Sequence, residues 1–258
     1  MATYENWQVK REEDIFWMLL NRPDKKNAFN HAVVEELQQI LIEIGQDETI
    51  RTAVLGTVMD EMFSSGADIE TFGTLKTDQD GRQFSIQAQH VFREVERLPI
   101  PVIAAVRGLN LTAGFELMLC CDLIIAADNA RFGQIETKYA LTPFGGGTQR
   151  LTRLVGPLRA RELIYTARTI DADEAFRIGL VNEVVPLQEL DNRVREICRT
   201  IGKSTRRAIR RCKFLVEMAT YVNDRGFAYE SQIAGEDFAS GEPAQKFMEF
   251  MKAREKKK

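Results

Sequence analysis

Pro101-Val-Ile-Ala-Ala-Val106-Arg-Gly108-Leu-Asn-Leu-Thr112-Ala-Gly114-Phe-Glu116-Leu-Met-Leu-Cys120 decides how this chain folds. Val102–Val106 is wholly apolar, too short for a helix, and bounded by Pro101 and Gly108, so it reads as a strand buried on both faces. A turn at Gly108 runs through the small residues Thr112-Ala-Gly114 into a helix opening at Phe115-Glu-Leu-Met-Leu-Cys120. A buried strand that feeds a helix implies a crossover connection and cover on both sides of a sheet.

The same grammar extends outward. Trp7–Lys10 and Asp14–Leu20 predict a hairpin with charged Arg11-Glu-Glu13 between its strands. Asn30 is placed to cap a helix whose apolar positions Val33, Val34, Leu37, Ile40, Leu41 and Ile44 recur at helical spacing. Thr52–Thr57 and Leu123–Ala127 predict further buried strands. Phe63–Ile69 reads as a loop, Thr74–Gly81 as a flexible surface segment, and residues 82–97 as an amphipathic helix stopped by Pro99 and Pro101. Gly145-Gly-Gly147 opens a helix through Leu154, Gly156-Pro157 starts another, and Asp171–Gly179 holds a short one. Val181–Val185 is a last strand, and beyond Leu187 the chain reads as almost wholly helical. The expected class is α/β, with a soft boundary near residue 200 between a core over 1–200 and a helical region over 201–258.

Composition narrows the function classes. The 258 residues are 44% hydrophobic and 28% charged, the profile of a globular protein with a sizeable core. Lys+Arg number 35 against Asp+Glu 38, a net charge of −3, which argues against a dedicated nucleic-acid binder. No apolar run reaches the roughly 20 residues that span a bilayer. The N-terminus carries Glu5, Glu12, Glu13 and Asp14 where a leader would be basic and then apolar. Cys120, Cys121, Cys198 and Cys212 form no C-x-x-C pair, and with only His31 and His90 no zinc site is legible. A cytoplasmic protein with reduced thiols, no metal and no membrane contact is the expectation.

Two strand-to-loop junctions and two glutamates carry the chemistry. Gly108–Glu116 exposes backbone N–H groups at a helix N-terminus, which favours negative charge there. Ala113 and Gly114 let a substrate approach the backbone, and Glu116 sits in the first turn. Taken alone, Glu116 equally fits a carboxylate that complements the dipole. Phe63-Ser-Ser-Gly-Ala-Asp-Ile69 offers a second amide, from Ala67, but also fits a surface turn capped by Asp68. Glu136, in Phe132-Gly-Gln-Ile-Glu-Thr137, is unremarkable by itself. Gly145-Gly-Gly-Thr-Gln-Arg150 lacks the Gly-Lys-Ser/Thr ending of a nucleotide loop. The basic run Lys203–Lys213 reads first as a solvated helix face, with the phosphates of a ligand or RNA as sharper alternatives. Ser64, Ser65 and His90 make no nucleophile triad.

Together these pieces resemble the enoyl-CoA hydratase/isomerase, or crotonase, family over nearly the whole chain. The likeness rests on Asn21-Arg-Pro…Asn27-Ala-Phe-Asn30, Phe63–Ile69, Pro101–Gly108, Ala113-Gly-Phe-Glu-Leu117 with Cys121-Asp122, Phe132-Gly-Gln…Glu136, Pro143…Gly145-Gly-Gly-Thr-Gln-Arg-Leu151 and Gly179–Pro186. It implies a crotonase-type spiral of repeated ββα units and a C-terminal helical region that forms a homotrimer, commonly paired into a dimer of trimers. It also implies an acyl-CoA substrate and no cofactor beyond the CoA it carries. The amides of Ala67 and Ala113 would form the oxyanion hole. Glu116 and Glu136 fall on two positions that are both glutamate in hydratases, with Glu116 orienting water and Glu136 donating a proton to C2. Lys26, Ser65, Gly66, Asp68, Ile69, Gly114, Leu141 and Phe144 would line the substrate site, and Phe72 and Leu75 would help shape the acyl pocket. The implied activity is hydration of a 2-enoyl-CoA; an isomerase or thioester hydrolase on the same scaffold and, in another class, an RNA-binding protein are the alternatives.

Three departures from the family pattern stand out. Thr112-Ala113-Gly114 replaces a common triple glycine, Ile135 replaces a frequent proline, and Phe250 sits where a lysine often holds CoA phosphates. Lys252 or Lys256–Lys258 are the available substitutes.

Overall fold

The computed structural model describes residues 3–220 and 225–255; Lys256–Lys258 lie outside them. The chain builds two sheets by alternating between them. β1 (Trp7–Glu12) and β2 (Ile15–Leu20) form the expected hairpin, in register Trp7↔Leu20 through Glu12↔Ile15. Arg11 and Glu12 belong to the strand rather than the turn, which tightens to two residues around Glu13 in a left-handed conformation, φ 57°. The helix α1 (His31–Gln46) follows, its first turn capped by Asn30 Oδ1, which accepts the Val33 N–H at 3.0 Å. Then the spiral begins. β3 (Thr52–Thr57) lies in the large sheet and β4 (Met62–Ser64) in the small one, followed by α2 (Ile69–Phe72) and α3 (Asp78–Arg97). β5 (Val102–Val106), β6 (Leu109–Leu111) and α4 (Thr112–Met118) repeat the unit. β7 (Leu123–Ala127), β8 (Arg131–Gly133) and α5 (Gly147–Thr166) repeat it again. β9 (Ile170–Asp171), α6 (Ala172–Arg177) and β10 (Glu183–Val185) close the two sheets, whose orders are β1-β2-β3-β5-β7-β10 and β4-β6-β8-β9. α7 (Leu190–Gly202), α8 (Arg206–Thr220), α9 (Arg225–Ser240) and α10 (Glu242–Glu255) complete the chain.

The central strands are apolar throughout because both faces are covered. One face sends Phe16, Met18, Ala53, Leu55, Val102, Ala104, Val106 and Ile124 into the main core with Val33, Leu37, Ile40 and Ile44 of α1. The opposite face sends Ile15, Trp17, Val54, Ile103, Ala105 and Ile125 against Leu190, Val194 and Cys198, spaced four apart along α7. That alternation is the strand period of two meeting the helix period of 3.6.

Two expectations are corrected. Phe63 and Ser64 are strand, not loop. Thr74–Gly81 is not wholly irregular, because α3 starts at Asp78 on a capping box. Thr77 Oγ1 accepts the Asp80 N–H at 3.2 Å, and Asp80 Oδ2 accepts the Thr77 N–H at 3.0 Å. The α5 segment divides as its glycine and proline foretold, at Gly156, φ 77° and ψ 162°. Among the described residues, no helix is long and apolar enough to cross a membrane.

Candidate active site

The small sheet gathers the site. β4, β6 and β8 are parallel neighbours, in register Ser64↔Asn110 and Leu111↔Gly133, so all three chains leave the same end of the sheet. Ala67 follows the end of β4, Ala113 the end of β6 and Glu136 the end of β8. Residues far apart in sequence are thus delivered together by register alone.

The Ala67 amide is oriented by a single parallel bridge. The Phe29 N–H donates to Gly66 O and the Asp68 N–H donates to Phe29 O, each at 2.7 Å. This pattern uses the neighbours of Ala67 and turns its own N–H away from Phe29. The loop is braced from below. Ser65 N–H donates to Lys26 O at 3.0 Å, Gly66 N–H to Ser64 Oγ at 3.0 Å, and Ser64 Oγ to Asn27 O at 2.8 Å. Asp68 carries the carboxylate of this brace, accepting from Arg22 Nη1 at 2.7 Å and from the Glu70 N–H at 3.1 Å. Its side chain holds the loop in shape through these two bonds. Gly66 is buried, Ser65 and Ile69 are half-buried, and Lys26 is exposed on the rim.

Ala113 is the second residue of α4, where an N–H has no partner within the helix. The residue before it, Thr112, holds a left-handed φ of 44°, an outlier for a β-branched residue and a local store of strain. Its hydroxyl stands where a β-carbon on Gly66 would be, so the two loops pack directly on each other. Gly114 is pressed against Ser64 and Asn110; a β-carbon there would lie 2.6 Å from Asn110 Oδ1.

Glu116 is 0% exposed. Its Oε1 accepts the Gly145 N–H at 2.9 Å and the Gly147 N–H at 2.8 Å. These are charge-assisted bonds at the start of α5, where the helix dipole adds positive potential. Glu136 is 4% exposed and begins a 3-10 turn, Glu136–Tyr139, with its Oε1 accepting from Gln134 Nε2 at 2.6 Å. Gln134 joins the two acids. A β-carbon on Gly147 would lie 2.7 Å from Gln134 Oε1 and 2.8 Å from Glu116 Oε1, so both oxygens close on one point. Sequence reading did not single out Gln134; its only signal was its place between a strand and a candidate glutamate.

The glycine loop is fixed from behind. Buried Arg150 donates Nη1 to Gly145 O at 2.9 Å and pairs with both oxygens of Glu96, at 2.7 and 2.9 Å. Leu141 and Phe144 are buried beside it, and Leu141 N–H donates to Glu136 O at 3.2 Å. Leu75 packs on the cluster of Phe84, Phe144 and Ala234, as does Ala67; the Phe72 side chain lies outside the described ones.

Phe250 meets the edge of Tyr139 at 5.9 Å, while Phe247 stacks on it at 5.2 Å, so α10 docks on the turn that carries Glu136. The basic run forms part of α8, where Lys213 Nζ donates to Asp122 Oδ2 and Ile100 O. Arg210 and Arg211 line a groove of about 680 Å³ between α3 and α8, with Glu96 and Glu217 interspersed, separate from the loops above. No group of three metal-ligating side chains occurs among the described residues.

A family model described as enoyl-CoA hydratase/isomerase matches residues 10–257. Crotonyl-CoA hydratase from Syntrophomonas wolfei is 39% identical over 97% of this chain and 96% of its own. Short-chain-enoyl-CoA hydratase from Clostridium acetobutylicum is 38% identical over 95% and 94%. The crystal structure of enoyl-CoA hydratase from Bacillus anthracis superposes with a TM-score of 0.81 at 36% identity, covering 90% of each chain. Strand register, buried acids and these likenesses converge: the chain belongs to the enoyl-CoA hydratase/isomerase family.

Proposed function

We propose that this chain is an enoyl-CoA hydratase, adding water reversibly and syn across the conjugated double bond of a 2-enoyl-CoA to give a 3-hydroxyacyl-CoA. The observation that carries this reading is the buried pair Glu116 and Glu136, closed on Gly147 through Gln134. Ala67 and Ala113 N–H groups receive the thioester oxygen. As charge builds on that oxygen, one such donor contributes roughly 3–4 kcal/mol. Glu116 takes a proton from water, whose oxygen bonds to C3. The π electrons move toward C2 and the thioester, giving an enolate held by the two amides. Glu136 then delivers its proton to C2, and one proton passes between the carboxylates to restore the starting state. No electron is gained or lost, so the CoA of the substrate is the only cofactor moiety the reaction calls for. Lys26, exposed beside Ser65, supplies a cation for the CoA phosphates.

The test follows loss of conjugated-thioester absorbance in wild type, Glu116→Gln and Glu136→Gln. Each variant keeps an acceptor for the N–H donors but loses the proton-transfer group, so kcat falls by about 10²–10⁴-fold. Wild-type turnover in either variant overturns the two-acid mechanism. Free CoA or a shifted double bond as the product overturns hydration itself.

We also propose that the protein assembles as a trimer through its C-terminal helices. The support is α8, whose Leu215 and Val216 are 63% and 66% exposed in the single chain. Adjacent large aliphatic side chains this exposed on an otherwise basic helix call for a covering surface.

A further inference from the structure

The loops that carry Ala67 and Ala113 interlock. Gly66 directly precedes Ala67, and Thr112 and Gly114 flank Ala113. A β-carbon added to Gly66 would run into the Thr112 hydroxyl and lie 3.1 Å from its Cβ and 3.4 Å from its Cγ2. A β-carbon added to Gly114 would lie 2.8 Å from Ser64 Oγ, the same oxygen that accepts the Gly66 N–H at 3.0 Å. Each loop thus presses a hydroxyl-bearing side chain onto a glycine of the other, and each of those glycines adjoins one of the two alanines.

Thr112 holds its place against its own preference. Its φ is 44°, and of the non-glycine residues with positive φ among the described ones it alone is β-branched. Left-handed backbone crowds a branched Cβ against the following carbonyl. No hydrogen bond to the Thr112 hydroxyl offsets that crowding among the described residues. A residue held this way is over-determined by its surroundings, and such strain gathers where geometry matters for function. Here the branching has a use. A β-branched side chain has few rotamers, so the hydroxyl is a fixed stop. Gly66 stands at φ 101°, in a conformation glycine alone takes freely, and it has no side chain to hold it there. Thr112 supplies from outside the bulk that Gly66 cannot carry itself. The peptide joining Gly66 to Ala67 is then fixed at two points. The Phe29 N–H holds its oxygen at 2.7 Å, and Thr112 blocks rotation at the Gly66 Cα.

Resting on the hydratase reading above, we propose that Thr112 is a positioning residue of the oxyanion hole. Its strained side chain locks the Gly66–Ala67 peptide against α4, so that the amides of Ala67 and Ala113 meet the thioester oxygen as one rigid pair. Without it the Ala67 N–H swings with Gly66 and donates to the enolate for only part of the time.

The experiment compares full-length wild type, Thr112→Gly and Thr112→Ser in three measurements. The first is kcat and KM on a four-carbon 2-enoyl-CoA. The second is the pH titration of bound acetoacetyl-CoA, whose enolate absorbs in the near ultraviolet and reports the oxyanion hole without any hydration step. The third is the melting temperature. Wild type lowers the pKa of the bound ligand below that of the free one. Thr112→Gly loses at least about tenfold in kcat, less than the 10²–10³-fold of an oxyanion donor removed outright, with KM changed by less than about twofold. The pKa of its bound ligand rises by about 1, the counterpart of a tenfold weaker hold on the enolate. Its melting temperature does not fall, because glycine is at ease at positive φ. Thr112→Ser keeps the hydroxyl and returns kcat and the titration to within about threefold of wild type. Wild-type kcat and titration in Thr112→Gly overturn the proposal, as does a serine variant that fails to rescue. A glycine variant that melts well below wild type, or does not fold, makes Thr112 an ordinary packing residue and overturns it too. A wild type that leaves the bound ligand at its free pKa removes the paired amides, and the proposal with them. A wild type that ionises acetoacetyl-CoA but hydrates nothing overturns the hydratase reading and leaves Thr112 in its role.

Discussion

Gly147 is where the side-chain oxygens of Glu116 and Gln134 close on one point, and a single methyl group tests that packing. In Gly147→Ala the new β-carbon presses on Gln134 Oε1 and Glu116 Oε1 at distances no relaxed contact tolerates. Both are the ends of side chains held in a close-packed interior, so they shift, and the bond from Gln134 to Glu136 shifts with them. The expected outcome is a fall in kcat of about 10²-fold, the cost of a misplacement near 1 Å, with the circular-dichroism spectrum unchanged. Taken singly, Glu116, Glu136 and the junctions at Ala67 and Ala113 each had an ordinary reading, and only their order and spacing along the chain, read as a family resemblance, set them together as candidates. Gln134 was not among them, since an amide beside a strand end has many ordinary uses. The brace at Asp68 was hidden for a related reason: its partner Arg22 lies 46 positions away, and nothing local betrays the ion pair. The positive φ of Thr112 was equally invisible, because a β-branched residue is the last to be expected there.

At the scale of elements, legibility followed length. The large-sheet strands that lie between the charged edge strand β1 and the short β10 are five or six residues of nearly unbroken apolar sequence and could be read directly. The small sheet is built from strands of two or three residues, too short to display a period, so its register came only with tertiary structure. It is that sheet which aligns the loops bearing Ala67, Ala113 and Glu136. The hairpin offers an element-scale prediction. Glu12, at the end of β1, pairs with Arg195 of α7 at 2.7 Å, and the Arg195 bond with help from Lys10 holds its carboxyl at about 2, against 4.5 when free. A depressed folded-state pKa stabilises the fold above the unfolded value, and that contribution is lost as pH falls through the folded one. Wild type therefore loses stability between about pH 4.5 and pH 2 more steeply than Glu12→Gln, in urea melts taken across that range. Parallel curves for the two proteins defeat the assignment of this pair as a tie between hairpin and helix.

For the whole molecule, the spiral explains why a reaction centre is assembled before any partner is considered, and α8 explains why a partner is still expected. Phe214, Leu215 and Val216 are consecutive, so at about 100° per residue they fan over most of the helix circumference. On the same helix Cys212 is also exposed and Ile209 only half-buried. Lys213 ties α8 to the chain through its bonds to Asp122 and Ile100. A stable interface needs about 800 Å² from each partner, and an exposed helix with three large apolar side chains supplies a natural centre for one. The prediction is that wild type sediments as a trimer, or as a pair of trimers, at micromolar concentration. Leu215→Asp with Val216→Asp places two charges on the covered surface, where each costs several kcal/mol if buried unpaired, and shifts the protein to the monomer. A wild type that sediments as a monomer, or a double variant that stays assembled, removes α8 from the interface and leaves its apolar row to another partner.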